Sequence, residues 1–318
     1  RSNARRVLDK FQNELCTFND DIQGTGAVTL AALLAACKIT GINLEDNRIV
    51  VFGAGSAGTG ICDQIVDALI RRGLSAEEAY KRFWLVDRQG LLIDSDLDLT
   101  EAQQPYSRKA SEIDNWSIEN QQLSLRDTVS QIKPTILIGC SAQTAAFSSE
   151  IVAIMAKGCE RPIIFPLSNP DDKCEAQPAD LLAWSQGKAL IATGTAFPPV
   201  EYQNCLIQIA QCNNALVFPG IGLGILAVQA TRLSKGMIWA AAEALSNYTP
   251  SKSESYVPLL PSLDDAQAVA KHIAVAVAKT AIQEKLAQQN QDADLEKLIH
   301  NKFWEPRYLE FKKTKVDC

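Results

Sequence analysis

Four groups of residues in this sequence have types and spacings that could do chemistry. The first is Cys16-Thr17-Phe18-Asn19-Asp20-Asp21-Ile22-Gln23-Gly24-Thr25, a polar turn rich in side-chain oxygens. Adjacent carboxylates point different ways, so of Asp20 and Asp21 one can ligate a hard cation while the other accepts a hydrogen bond. The pair would equally serve as an N-cap for the Ala-rich stretch that follows. The second is Gly53-Ala54-Gly55-Ser56-Ala57-Gly58, a G-x-G-x-x-G string. Its first glycine allows a sharp turn, its second lets backbone approach a pyrophosphate, and its third lets the following helix pack close to the preceding strand. The N–H groups opening that helix at Ser56 and Ala57 then face the phosphates. A tight turn of this shape can also hold nothing. The third is Asp87-Arg88, 34 residues beyond Gly53. An acid at the end of the second strand accepts the adenosine ribose hydroxyls, usually about 20 residues on; an extra helix at Leu74–Arg82 accounts for most of the excess. The fourth is a set of neutral amides, Asn169 and Asn213-Asn214. Amides can orient a carboxylate or a carboxamide, although isolated asparagines are more often turn formers.

The elements that must position these groups follow from hydrophobic period. Ile49–Val51, Phe83–Asp87, Thr135–Cys140, Pro162–Pro166 and Ala189–Gly194 are short apolar, β-branched runs that read as buried parallel strands. Helical patterns alternate with them: Ile61, Ile65 and Leu69 after the glycine turn, a capping box at Ser75–Glu78, then Ser124–Ile132, Ser149–Lys157 and Pro178–Ser185. The fold class expected is α/β, a Rossmann-like doubly wound parallel sheet. Ligands of such sheets gather at the carboxyl ends of the strands. Asp87, Ser141, Asn169 and the Thr193–Thr195 turn all fall on that edge, and Ser141 is a further candidate cofactor contact. Upstream, Arg5–Asn13 is a charged helical piece and Ala27–Cys37 a helix buried on most sides. Residues 92–120 read as a long surface excursion. After Asn214 the pattern becomes a C-terminal helical region, with helices at roughly 223–233 and 236–247, a Pro/Ser-rich loop at 249–262 and a long helix from Asp264 to about Ala287 striped by Val269, Ile273 and Val277. Aromatic residues from Phe303 onward read as a contact for another domain or subunit.

Composition excludes several classes. The chain has 318 residues, 47% hydrophobic and 21% charged, with 31 basic and 37 acidic side chains, a net charge of −6. No basic block marks a nucleic-acid partner, no run of 18 uncharged apolar residues marks a membrane span, and nothing at the N-terminus looks like a signal peptide. Nine scattered cysteines without a C-x-x-C pair read as reduced thiols in a cytoplasm rather than a disulfide framework or a zinc site. His272 and His300, the two histidines, lie in helical segments and read as surface or packing residues.

Taken together, Thr17–Thr25, Gly53–Gly58, Val86-Asp87-Arg88 with Gly90-Leu91, Leu167-Ser168-Asn169-Pro170, and Cys212-Asn213-Asn214 followed by Phe218-Pro219-Gly220 resemble the malic enzymes, in family order and across almost the whole chain. The Asn-Asp-Asp-Ile-Gln-Gly-Thr string is highly specific. Ala210–Ala215 and Pro219–Gly224 are most similar to the bacterial NAD-linked members. The resemblance implies oxidative decarboxylation of (S)-malate to pyruvate and CO2 with reduction of NAD, dependent on Mg2+ or Mn2+. It implies Asp21 as a metal ligand, Asp20 as the neighbouring acid that orients a catalytic lysine, Asn169 and Asn214 as amides that hold substrate, and Asn213 beside the cofactor. Gly53, Gly55, Ser56, Ala57, Gly58, Asp87, Arg88, Ser141 and Asn169 would contact the cofactor too. In the family a catalytic Tyr, a substrate-binding Arg, a base Lys and a Glu-Asp metal pair precede the point where this chain starts. The expectation is therefore a C-terminal portion that binds dinucleotide but does not decarboxylate malate alone. Its parts would be 1–19, the end of a preceding catalytic domain; 20–213, the NAD-binding domain; and 214–318, helices packing on the absent domain or another subunit of a dimer or tetramer. Asp87 would repel a 2′-phosphate, whereas Arg88 could attract one; NADP-linked animal members place a Lys near Gln103-Gln104, so NAD is favoured. The competing readings are an amino-acid dehydrogenase-like enzyme, which has no use for the Asn-Asp-Asp string, and a non-catalytic NAD sensor or scaffold module.

Overall fold

A computed structural model describes residues 2–116, 122–248, 258–289, 294–305, 308, 310 and 311. In chain order the helices are α1 (Ser2–Phe11), α2 (Thr25–Thr40), α3 (Ser56–Arg71), α4 (Ala76–Tyr80), α5 (Ala110–Ile113), α6 (Leu125–Ile132), α7 (Ser149–Gly158), α8 (Pro178–Trp184), α9 (Phe218–Val228), α10 (Lys235–Tyr248), α11 (Ala266–Gln283) and α12 (Leu295–Lys302). The strands are β1 (Ile49–Phe52), β2 (Phe83–Asp87), β3 (Gly90–Leu91), β4 (Ile136–Gly139), β5 (Ile163–Pro166), β6 (Leu190–Thr193), β7 (Val200–Tyr202), β8 (Cys205–Ile207) and β9 (Ala210–Gln211).

Seven strands form one sheet in the order β3-β2-β1-β4-β5-β6-β9, parallel except for the short edge strand β3; β7 and β8 make a separate hairpin. Every residue of β1, β4, β5 and β6 is buried, as a parallel sheet covered on both faces requires. The register is level: Ile49 pairs with Phe83 on one side and Ile136 on the other, and Ile136 with Ile163. The strands therefore end together. Their order reverses between β1 and β4, the switch point where such sheets open a crevice. One face is covered by α2, α3 and the helical layer α9–α11, which share a single apolar core; the other face packs on α6, α7 and α8. The Asp20–Thr40 segment is apolar and long enough to cross a membrane, yet it is the central helix of that core, 83% buried.

Two expectations change. The glycine-rich run 218–224 is helical rather than a lead-in loop, so α9 starts at Phe218 and ends at Val228 instead of spanning 223–233. Pro219 sits in the first turn, where its missing N–H has no helical partner to lose. The glycines serve packing: a Cβ on Gly220 would lie 2.6 Å from Ile273 Cβ, and one on Gly224 2.7 Å from the Ala274 carbonyl. The supposed surface excursion is also partly core. Tyr106 is 1% exposed and its hydroxyl donates to Asp63 Oδ1 at 2.7 Å; Ile113 is buried too. Residues 117–121 of that stretch, 249–257 of the Pro/Ser-rich loop, and 306 and 307 of the tail lie outside the described residues. In the tail, Trp304 is 76% exposed, while Phe303 carries the Lys271 ammonium over its ring.

Candidate functional site

The two acidic and amide motifs, 194 residues apart, meet. Asp20–Gly24 is one π-helical turn feeding directly into α2. Asn19 caps it, its Oδ1 accepting from the Ile22 N–H at 3.0 Å, while Gln23 Oε1 accepts from the Asn19 N–H at 2.9 Å. A Cβ on Gly24 would fall 2.0 Å from Asp20 Oδ1 and displace that carboxylate. Asn214 Nδ2 donates to Asp20 Oδ2 at 3.1 Å, to the Asp20 carbonyl at 3.1 Å and to Thr25 Oγ1 at 3.2 Å. One amide thus holds the acidic turn, the start of α2 and the turn before α9. Asn213 caps that last turn, accepting from the Ala215 N–H at 2.9 Å.

These groups line a cleft of about 480 Å³ with Asp21, with Thr29 of α2, and with Asn169, Thr195 and Cys212 just past the ends of β5, β6 and β9. The polar chemistry of the cleft is incomplete. Among the described residues four buried side-chain atoms lack a hydrogen-bond partner, and three of them, Asp20 Oδ1, Thr29 Oγ1 and Thr195 Oγ1, belong to cleft residues. Such atoms ordinarily find partners, so a cluster of exceptions around one cavity marks a place for a polar ligand. Burial pushes the Asp20 carboxyl above its usual value; the Asn214 amide opposes the shift and the Asp21 charge adds to it. Asp21 is exposed at the mouth. Burial pushes the Cys212 thiol up to about 12, so it is no nucleophile at neutral pH.

The glycine turn follows β1. Gly53 has φ +106°, and a Cβ on it would lie 2.6 Å from the Ser141 nitrogen; one on Gly58 would lie 2.0 Å from the Gly53 carbonyl. Strand, turn and helix α3 are locked together by the lack of side chains at these two positions. A Cβ on Gly55 would meet nothing, so the middle of the turn is an open cradle in front of the uncapped N-terminus of α3 at Ser56 and Ala57. Gln103 Nε2 steadies the cradle by donating to the Ala54 carbonyl at 3.0 Å.

On the far side, Asp87 and Arg88 line a second cleft of about 520 Å³ with Ser124, Arg126, Gln143 and Ser148. Asp87 Oδ1 accepts from the Arg88 N–H at 2.9 Å and keeps Oδ2 available. Along the strand ends, Asp87, Gly53, Ser141, Asn169, Thr195 and Asn213 come in that spatial order. Five strand spacings of about 4.8 Å put roughly 24 Å between the first and the last. Ser141 does not line either cleft. Its N–H and hydroxyl are both committed to Glu175, at 2.8 and 2.9 Å. The Thr193–Thr195 turn lies on the edge as expected, whereas Glu175 and Thr29 escape a sequence reading: Glu175 sits in Asp171-Asp172-Lys173-Cys174-Glu175, a run that looks like a solvated turn.

The family model described as malic enzyme, NAD binding domain matches residues 22–282. An NAD-dependent malic enzyme of Photorhabdus laumondii is 46% identical over 314 residues, covering 99% of this chain and 56% of that protein. One from Shewanella sp. strain ANA-3 matches equally, at 46% identity over the same shares. The chain thus spans about half the length of the curated relatives it matches. Among solved structures, malic enzyme from Pyrococcus horikoshii superposes with a TM-score of 0.74 at 26% identity, over 94% of this chain and 62% of that one. The Entamoeba histolytica malic enzyme gives 0.73 at 24% identity over 94% and 57%, a likeness of fold.

Proposed function

Because this chain belongs to the malic enzyme family and carries its NAD-binding domain, we propose that it is the cofactor-holding portion of an NAD-dependent enzyme that oxidises and decarboxylates malate to pyruvate. The observation that carries this reading is the convergence of Asp20, Asp21, Asn169, Asn213 and Asn214 on one cleft with unpartnered buried oxygens, beside an open glycine cradle.

The residues fit a dinucleotide. The Gly55 gap admits a pyrophosphate to the N–H groups of Ser56 and Ala57. Asp87 accepts the ribose hydroxyls and repels a 2′-phosphate, in keeping with relatives named for NAD. At the other end Asn169 and Asn213 hold the carboxamide of the nicotinamide, and Asn169 orients the carboxylates of the substrate, while Asn214, whose N–H groups go to Asp20 and Thr25, sets the acidic turn beside them. NAD, when bound, supplies the hydride acceptor. Asp20, held by Asn214 and partly desolvated, would orient the amine of a base lysine against the substrate hydroxyl. We assign Asp21 as one hard-oxygen ligand of Mg2+ or Mn2+. Among the described residues there is no group of three or more potential metal-binding side chains. Asp21 is therefore at most part of a metal site.

The purified chain is expected to enhance NADH fluorescence on binding and to show no malate decarboxylation alone. A clear decarboxylation rate from these 318 residues would refute the second expectation; absence of NADH binding would refute the first. We place the enzyme in the cytoplasm, a reading supported by eight free thiols among the described cysteines. We infer a homo-oligomer, with the exposed Phe218 and Leu226 of α9 and Trp304 of the tail meeting another domain or subunit.

A further inference from the structure

Glu175 is fully buried, at 0% exposure, and no cation lies within salt-bridge distance of it among the described residues. A buried carboxylate without a counter-ion needs a full set of donors. It has four, from two loops. Ser141, the second residue after β4, gives its N–H at 2.8 Å and its hydroxyl at 2.9 Å to Oε1. Ser168, the second residue after β5, gives its hydroxyl to the same Oε1 and its N–H to Oε2 at 3.3 Å. Each hydroxyl spends its one proton on Glu175 and uses its oxygen to accept a backbone N–H: Gln143 at 3.1 Å on Ser141, and Ala142 at 2.8 Å on Ser168. The directions of all these bonds are mutually consistent. A Cβ on Gly139 would come within 2.5 Å of the Glu175 carboxyl carbon, so the carboxylate lies directly on the end of β4.

One oxygen atom therefore ties the loop after β4, which backs the Gly53 turn, to the loop after β5, which carries Asn169. We propose that Glu175 is a positioning residue that fixes Asn169 relative to the glycine cradle, so that nicotinamide and substrate are held in register. This rests on the reading above that Asn169 touches both. An apolar residue of the same size would fill the space but leave four donors unsatisfied. Glutamine keeps three of the acceptor contacts and turns an amide N–H toward the Ser168 N–H, so it disturbs the β5 loop more than the core.

The test uses the intact protein that contains this chain, with variants Glu175→Gln, Ser168→Ala and Asn169→Ala, read by steady-state kinetics, NADH titration and thermal melting. Glu175→Gln is expected to lower kcat on the order of 10²-fold, the usual consequence of a misplacement near 1 Å. The KM values for NAD and malate should both rise severalfold, and Ser168→Ala should shift the same parameters by less. A purely structural role lowers the active fraction, which scales kcat and leaves both KM values unchanged; that pattern, or wild-type behaviour, overturns the proposal. If Glu175→Gln does not fold, Ser168→Ala decides between the same two patterns. If wild type fails to bind NADH, or Asn169→Ala matches wild type, the cofactor reading itself falls and takes this inference with it.

Discussion

At the carboxyl edge of the sheet, polar atoms are buried without partners; in the α9–α10–α11 layer that covers the same core, no described side chain is left so. Where it faces the core, the layer obeys packing rules. Small residues on α9 admit Ile273 and Val277 of α11, both fully buried, and Ser246 of α10 spends its hydroxyl on the Glu243 carbonyl. The edge breaks those rules at Asp20, Thr29 and Thr195, and it buries a carboxylate, Glu175, in a place that the donors of Ser141 and Ser168 reserve for an acceptor. The difference teaches where each region's selection lies: the layer secures the fold, and the edge retains unmet hydrogen-bonding capacity for something that binds.

The comparison breaks if stability and binding do not separate. Ile273→Ala, in the layer, is expected to lower unfolding free energy by about 2–5 kcal/mol, because the cavity between α9 and α11 cannot close. Urea unfolding measures this, and the affinity of the folded fraction for NADH should stay unchanged. Gly55→Ala reverses the pattern. Its Cβ meets no protein atom and its φ of −79° suits alanine, so the melting temperature should hold. The methyl instead occupies the approach of the pyrophosphate, and NADH affinity should fall at least tenfold, about 1.4 kcal/mol. A variant that loses both or neither removes the distinction drawn between the regions.

Asn214→Ala sharpens the edge itself. Its amide stabilises the charged form of Asp20 against burial, so its loss should move the Asp20 carboxyl, already above the ordinary 3.8, higher still. Carbon-13 NMR of the carboxyl checks the direction. The sign for stability follows: a raised native value means that the folded state holds the proton more tightly. Stability is greatest below the unfolded value and is lost as pH climbs through the native one. In the variant that decline should extend to higher pH.

Much of this was legible in the sequence, for physical reasons. Ile49–Phe52 is uniformly apolar because a central parallel strand is buried on both faces, and the Gly53–Gly58 spacing is forced by two contacts under 3 Å. The Asn19–Thr25 string encodes its own turn through local side-chain hydrogen bonds. What was hidden depends on partners far away in sequence. The start of α9 at Phe218 rather than near 223 is hidden because the reason for Gly220 and Gly224 is the close approach of Ile273 and Ala274. Tyr106 sits in a polar stretch, yet its ring packs on Tyr80 and Phe83 and its hydroxyl bonds Asp63, 43 positions away. Glu175 has the composition of a surface loop, and only the meeting of Ser141 and Ser168 makes it internal.

The smallest expected effect lies at the other end of α3 from the cradle. Arg72, just past the last turn of that helix, donates from Nε to Glu45 Oε2 at 2.6 Å, clipping α3 to the short turn that precedes β1. The guanidinium hydrogen bond holds the Glu45 carboxyl below its ordinary 4.5. A lowered native value means that the pair stabilises above the unfolded value and ceases to as pH falls through the native one. Both side chains are substantially solvated, at 35% and 25% exposure, so solvent screening reduces the contribution to under about 1 kcal/mol. Glu45→Gln should therefore cost that much at pH 7 and progressively less as pH falls through the native value, and the difference should shrink in 1 M salt, where charges are screened within about 3 Å. Because the clip is at the amino end of the sheet, NADH affinity should be the same in the variant. A change in affinity there would mean that α3 transmits strain along its whole length, and that the edge is not separable from the scaffold behind it.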